Sequence, residues 1–365
     1  MYPDWPKSNA ELLPLPRCKG PKLKPFVFNG FQEIRFLEYI GAGAHSHVFK
    51  VEIGRTIYAL KLFRFVYDYD WRSPVPYAEE DVTADIQVMS TFANYSEPFN
   101  CECRAYGRLQ DAGREDLAVK SYGYILLSEH QERNMMEKFS HLDLEFDGNM
   151  DDPGSEDMRG RFRIDGRDPP IRGLLKEFGQ GDEDLTTPVA RRLLKNIKEL
   201  QSLGIFNVDV ARRQVISGKF SDFSTAVTVP HFVTSPELNP NLDSDQKLIL
   251  EFETFQLSSN DYWLFDEMVK TWNDDNNGNI KVHAFPGGDG CLPKHNYNLR
   301  RKRIYTFVDP RKLEGVKKKR KLTEWEYNCD DKAIARLKCT HEFSESHEWV
   351  FKDGYIFPRI NVWRY

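Results

Sequence analysis

Alternation of apolar and polar positions is clearest between Phe31 and Phe65. The run RFLEYIGAGAHSHVFKVEIGRTIYALKLFRF reads as three strands, with a glycine turn after the first and EIGRT as the hairpin turn after the second. NCECRAYGRLQ has helical spacing, with Cys101, Ala105 and Leu109 on one face. LAVKSYGYILL and RGLLKEF are strand-like. TTPVARRLLKNIKELQSLGI is a helix capped by Thr186 or Thr187, with Pro188 in its first turn and Gly204 at its end. Two short apolar runs follow, joined by Ser217-Gly218 as a two-residue hairpin turn. NDYWLFDEMVKTWND is a further helix, with Trp263, Met268 and Trp272 on its apolar face, and WEYNCDDKAIARLK also looks helical. Strands and helices in this order predict an α+β class.

The stretches between are as telling. Residues 1–28, rich in proline and polar groups, read as an N-terminal arm. Residues 67–100 read as irregular and proline-bearing. The segment 131–170 reads as a solvated polar insertion, because His141 to Pro170 hold nine Asp/Glu and four Arg among glycines. After Asp275 the composition shifts to glycine, proline and lysine, marking an atypical C-terminal extension over 276–365.

Bulk composition narrows the class. The 365 residues, 40% hydrophobic and 13% aromatic, are enough for a buried core in one large or two ordinary domains. No apolar run reaches the length of a membrane span or a secretory leader, so the expected location is nuclear or cytoplasmic, with no membrane partner. Six scattered cysteines make no disulfide framework, and the close pair Cys101 and Cys103 has no second pair to complete a zinc site. The net charge of −5 conceals segregation: residues 299–321 carry eleven Lys/Arg against Asp309 and Glu314. Clusters at Arg300–Arg303 and Lys317–Lys321 suit a bipartite nuclear-import signal or a weak, phosphate-contacting nucleic-acid patch, and a solvated basic linker is an equal reading.

In order, the chain supplies a glycine turn between strands, a lysine at the end of the next strand and a glutamate on a following helix. An aspartate on a loop after a long helix and a second aspartate after a tight hairpin complete the set. Phosphoryl transfer from a nucleotide needs these parts: a backbone cradle, a cation on the phosphates held by a carboxylate, a carboxylate for the accepting hydroxyl, and another for the metal. With these residues the sequence resembles the protein-kinase superfamily. That resemblance implies a bilobal fold over 29–275, with an antiparallel β N-lobe over about 29–178 and a mainly helical C-lobe over about 179–275.

The resemblance also assigns roles. Gly41, Gly43 and Val48 fall in register with the glycine-rich loop, with Ser46 in place of its last glycine. YALK makes Lys61 the phosphate lysine, with Ala59 beside the nucleotide, and Glu102 its partner; Glu80 is the alternative. LLKEF leads into the adenine hinge at Glu177 and Phe178. NVDVARRQV places Asp209 as the base and Gln214 at the metal-binding asparagine position, and SDFS makes Asp222 the metal ligand, with Ser224 in place of glycine. SPE at Ser235–Glu237 closes a short activation segment, and DYW at Asp261–Trp263 marks the core helix. ATP and Mg²⁺ are the implied cofactors.

Three departures bear on catalysis. Asn207 and Val208 stand where the family has histidine and arginine, and Ala211 where it has a phosphate-steadying lysine, leaving Arg212 or Arg213 as substitutes. Gln214 is one methylene longer than asparagine, and Mg²⁺ demands near-ideal octahedral geometry. His45 and His47 alternate onto one strand face and, with no third ligand, read as solvated rather than as a metal pair.

The wording of PFNCECRAYGRL, KEFGQGDEDL, SDFSTAVTVPHFVTSPELNP and FKDGYIFPR also resembles a fungal family named after the Fta-two subunit of the Sim-four kinetochore complex. That implies kinetochore or centromere partners. The readings are therefore a nucleotide-binding atypical phosphotransferase or degenerate kinase and, alternatively, a non-catalytic nuclear scaffold on a kinase fold.

Overall fold

The computed structural model describes residues 6–30, 32–71, 86–148, 157–179, 184–284, 305–308, 324–327 and 347–360. Glu80 and all but 305–308 of the basic segment 299–321 lie outside these residues. The chain divides into two units, Met1–Val75 with Glu79–Gln180 and Phe223–Thr225, and Pro76–Ala78 with Gly181–Asp222 and Ala226–Tyr365.

The first unit is α+β. Strands β1 (Arg35–Ala42), β2 (Ser46–Ile53) and β3 (Thr56–Phe63) form the expected meander. Residues 86–112, partly expected to be irregular, hold two helices, α1 (Ile86–Ser96) and α2 (Pro98–Ala112). Strand β4 (Ser121–Leu126), helix α3 (Glu129–Lys138) and strand β5 (Arg172–Glu177) complete an antiparallel sheet of order β1-β2-β3-β5-β4. Glu97 caps α2 by accepting from Asn100 N, Pro98 sits in its first turn, and Gly113 closes it at φ +63°. The helix lies on the sheet face that carries Phe63 and Tyr124, and its Phe99 meets both rings edge-on at 5.5 and 6.1 Å.

The opposite face is equally apolar, which explains why the polar insertion is not a free loop. Phe36, Phe49, Leu60 and Leu62 pack against Met135 of α3 and against Phe139, Leu144 and Phe146. A sheet with two apolar faces needs a layer on each, and residues 128–146 supply the second. Ser128 and Gln131 cap α3 reciprocally. Glu132 then ties the insertion to its return, accepting from Arg159 at 2.8 and 2.9 Å and from Ile171 N at 2.8 Å.

The N-terminal arm is likewise packed. Leu15 and Leu23 pair with one another and are buried, and the segment then runs beside β4, where Phe26 N donates to Tyr124 O at 2.8 Å. Two glycines make room for it. A Cβ on Gly107 of α2 would lie 2.5 Å from the carbonyl carbon of Lys22, and one on Gly123 of β4 would lie 2.7 Å from Phe26 N. Fully buried Arg104 donates to Cys18 Sγ and to Lys19 O, both at 2.9 Å. Cys18, Cys101 and Cys103 are free thiols among the described residues.

The second unit is built on α4 (Thr187–Ser202), capped by Thr186 as expected, followed by four two-residue strands: β6 (Ile205–Phe206), β7 (Val215–Ile216), β8 (Lys219–Phe220) and β9 (Val227–Thr228). β7 and β8 join through Ser217 and Gly218 at φ +50° and +67°, the two left-handed residues of a tight hairpin. The long helix α5 (Ser244–Asn276) starts well before the expected NDYW, under a reciprocal cap of Asp243 and Gln246. Two hairpins follow, β10 (Tyr305–Val308) with β11 (Glu324–Tyr327) and β12 (His347–Lys352) with β13 (Tyr355–Ile360). Trp325 to Tyr327, expected to be helical, are in β11; the rest of that stretch lies outside the described residues. Asn239 and Gln246 anchor β13 through its carbonyls at Ile356 and Pro358, and Trp349 of β12 packs on Phe232 at 5.1 Å. No helix among the described residues is long and apolar enough to cross a membrane.

Gly107→Ala separates propensity from packing. Helix propensity alone favours alanine by about 1 kcal/mol, whereas a Cβ forced against backbone costs about 1–3 kcal/mol. The expected result is a lower urea midpoint and faster tryptic cleavage after Arg17, Lys19 and Lys22; a raised midpoint with unchanged cleavage would refute the packing.

Candidate functional site

Residues expected at one nucleotide site fall into both units. In the first, Gly41 pairs with Val48 and Ala42 with His47, while Gly43 N donates to Ser46 O at 2.9 Å, closing a tight turn. A Cβ added to Gly41 or Gly43 would meet nothing within 4 Å, so packing demands neither glycine, although Gly41 at φ +157° holds a backbone conformation that side-chain residues rarely adopt. His45 and His47, expected to be solvated, are 7% and 2% exposed. His45 Nε2 lies 3.2 Å from Asp70 O and its Nδ1 lies 3.1 Å from Ser224 Oγ. A carbonyl only accepts, so the proton is on Nε2 and Ser224 donates to Nδ1. The tip of the glycine turn is thereby fastened to the residue two places after Asp222.

Lys61 and Glu102 come together as expected, Nζ to Oε2 at 2.7 Å, with side chains 7% and 0% exposed. A third member, not expected from the sequence, joins them: Lys176 Nζ meets Glu102 Oε1. Ala59 faces Lys176 and Lys61 faces Leu174 across β3 and β5, so both ammonium groups rise from one sheet face onto the same carboxylate. The available signal was a lysine within the apolar run of a buried strand, since lysine is almost never buried unpaired. Val48 and Ala59 are half-buried. Glu177 is exposed, as is Phe178, over whose ring Lys50 Nζ sits at 4.9 Å.

In the second unit, Asp261 of α5 accepts from Asn207 N at 3.0 Å, Val208 N at 2.8 Å and Gln201 Nε2 at 3.1 Å. Asn260 Nδ2 donates to Val208 O at 3.0 Å. These bonds hold Val208 at φ +66°, an outlier for a β-branched residue. Burial pushes the Asp261 carboxyl up to about 6 against these hydrogen bonds.

The next residue, Asp209, is engaged by its own loop. Its Oδ2 accepts from Arg213 at 2.6 Å and from Gln214 Nε2 at 2.7 Å. Arg212, the other candidate phosphate cation, lies over the Trp272 ring at 5.6 Å. With its nitrogen given to Asp209, Gln214 keeps Oε1 buried and without a hydrogen-bond partner. Ser221 N and Oγ both donate to Gln214 O at 2.8 Å, which ties the Gln214 turn to the segment leading into half-buried Asp222. An orphaned carbonyl oxygen and a carboxylate suit a hard, oxygen-seeking cation such as Mg²⁺.

The chain belongs to the family described as kinetochore Sim4 complex subunit FTA2, whose model matches residues 12–227, more than half of the chain. Comparison with curated proteins gives no match. The matched region runs from the packed N-terminal segment to the first residue of β9 and ends before α5.

His47 gives a pH prediction. Burial, then the Arg64 charge, lowers it from 6.5 to about 4. Nε2 lies 3.0 Å from both Glu145 O and Arg64 Nε, and Nδ1 lies 3.0 Å from the Tyr39 hydroxyl, so the Arg64 guanidinium is close enough for its charge to oppose protonation. Between pH 6.5 and about 4 the unfolded chain binds a proton that the fold refuses, so stability is lost as pH falls through that window. Asp261 acts in the opposite sense between 3.8 and about 6. Unfolding free energies from urea titrations should fall with pH more steeply for wild type than for His47→Gln, by up to about 1 kcal/mol per pH unit in that window; parallel profiles would exclude His47 as the source.

Proposed function

We propose that the chain is a nuclear, kinetochore-complex subunit that acts as a non-catalytic interaction scaffold on a protein-kinase-like architecture. Its family supports the kinetochore role, with kinetochore or centromere proteins as partners. The sheet order and the Lys61–Glu102 pair on α2 agree with the architecture that the sequence resemblance implies. The observation that carries the non-catalytic reading is the fastening of the glycine turn: His45, where a phosphate cradle would be open, is buried on Ser224 and Asp70. Asp209 supports it, because Arg213 and Gln214 occupy the oxygen that a substrate hydroxyl would address.

A second reading, an atypical ATP-dependent phosphotransferase, is favoured by the intact Lys61–Glu102 pair and by the orphaned Gln214 Oε1. In the roles that the kinase resemblance implies, Gln214 and Asp222 of the second unit would hold Mg²⁺; in the first unit Lys61 would meet the phosphates, and Gly41, Gly43, Val48, Ala59, Glu177 and Phe178 would contact the nucleotide. The metal would supply charge neutralisation on the phosphate oxygens. The protein's own work would be to free His45 from Ser224 and Arg213 from Asp209, so that Asp209 accepts the hydroxyl proton.

Thermal unfolding with and without millimolar Mg·ATP separates the two. A ligand at a hundred times its dissociation constant adds about 2.7 kcal/mol, which moves the midpoint by roughly 5 °C or more. The scaffold reading expects a change below about 1 °C. A shift of roughly 5 °C that Asp222→Asn removes would establish the second reading instead.

A further inference from the structure

The N-terminal segment turns a strongly basic strip outward. Between Glu11 and Glu33 the sequence has no Asp or Glu and four basic residues, Arg17, Lys19, Lys22 and Lys24, all exposed. Leu15 and Leu23 point inward and Gly107 accepts the backbone at Lys22, so the strip is held as part of the first unit rather than trailing from it.

Where the strip meets β4 it runs into an aromatic row. Phe28, Phe26, Tyr58 and Tyr122 succeed one another with ring centroids 5.0, 5.9 and 5.0 Å apart. Val27, between Phe26 and Phe28 in the chain, is 73% exposed, and Tyr122 is 36% exposed. Lys120 lies over the Tyr122 ring at 5.1 Å, placing another cation at the end of the row. Glu177 stands near Tyr122 and raises its pKa after burial does. Phe26, Phe28 and Tyr58 are half-buried against the core, which leaves Val27 and Tyr122 as the exposed apolar side chains. Exposed apolar groups close to a mainly cationic strip, with Glu177 as a carboxylate near Tyr122, suit a protein-docking surface.

We propose that this surface docks an acidic segment of a partner protein, one that sets an apolar anchor against Val27 and Tyr122 while its carboxylates meet Lys22, Lys24 and Lys120. The charge of the strip selects the acidic partner. The rings select protein over single-stranded nucleic acid. Bases stack on open ring faces, but these rings meet edge to face at 72–87°, so each covers its neighbour. The inference rests on the scaffold reading, and its test uses no nucleotide, so either can fail alone.

Fluorescence anisotropy of the full chain, at about physiological salt, compares three labelled probes. These are a peptide alternating glutamate with phenylalanine and leucine, the same peptide with lysine for glutamate, and oligothymidylate. The acidic peptide should bind at least about tenfold more tightly than either other probe. Lys22→Glu with Lys24→Glu should weaken it by about tenfold or more, and so, independently, should the uncharged change Val27→Ser with Tyr122→Ser. Far-ultraviolet melting of each variant checks that the unit stays folded. Tighter binding of oligothymidylate, no binding of the acidic peptide, or a loss confined to the lysine variants would each overturn the proposal.

Discussion

A carboxylate with no exposure to water cannot remain charged without partners, and Glu102 has two. Lys61 of β3 and Lys176 of β5 both reach it from one sheet face. Desolvating an ion pair costs several kcal/mol per ion unless geometry and further bonds compensate, so this cluster tolerates little displacement of α2 along the sheet. With α2 fixed, nearly all its surface must be covered: Phe99 takes the sheet side, and Arg104 and Gly107 receive the N-terminal segment. Tyr106 meets Phe223, the residue after Asp222, at 5.4 Å. The ordering of α2 thereby extends to the segment whose Ser224 holds His45.

The same accounting applies to the other side of the sheet. Phe36, Phe49 and Leu62 would be exposed without Phe139, Leu144 and Phe146. Residues 139–146 also form backbone bonds there: Phe146 O accepts from Phe65 N at 2.8 Å and Glu145 O accepts from His47. Covering this face therefore also buries His47 and steadies the strand that carries the glycine turn. With a layer on each face of the sheet and the N-terminal segment paired along β4, the basic strip is held in place as the surface proposed to dock a partner.

What the sequence revealed followed from local rules. Period-two alternation located β1 to β3, capping residues located α4, and Ser217-Gly218 located the β7–β8 turn because both positions need left-handed backbone. Lys61 and Glu102 were found through family likeness, and their contact needed no more than a strand and a helix in register. The insertion misled because its nine carboxylates outweigh Phe139, Leu144 and Phe146 in composition, although these few residues decide the packing. The front half of α5 was missed because SDQKLILEFETFQLSS bunches its apolar residues instead of spacing them. Lys176 carries no local signal beyond its place in a strand, because its partner Glu102 lies 74 residues away. The His45–Ser224 contact spans 179 residues and leaves no local trace.

Central to this account is a protein in which residues that the kinase resemblance would assign to phosphate transfer, such as Asp209, are engaged by their own neighbours. Transfer of radiolabelled γ-phosphate from Mg·ATP, to the chain itself and to a generic protein acceptor, tests that most directly when wild type is set beside Asp209→Asn. Incorporation by the wild type no greater than by Asp209→Asn is the predicted result. Incorporation by the wild type that Asp209→Asn abolishes would contradict the account and make the chain a phosphotransferase.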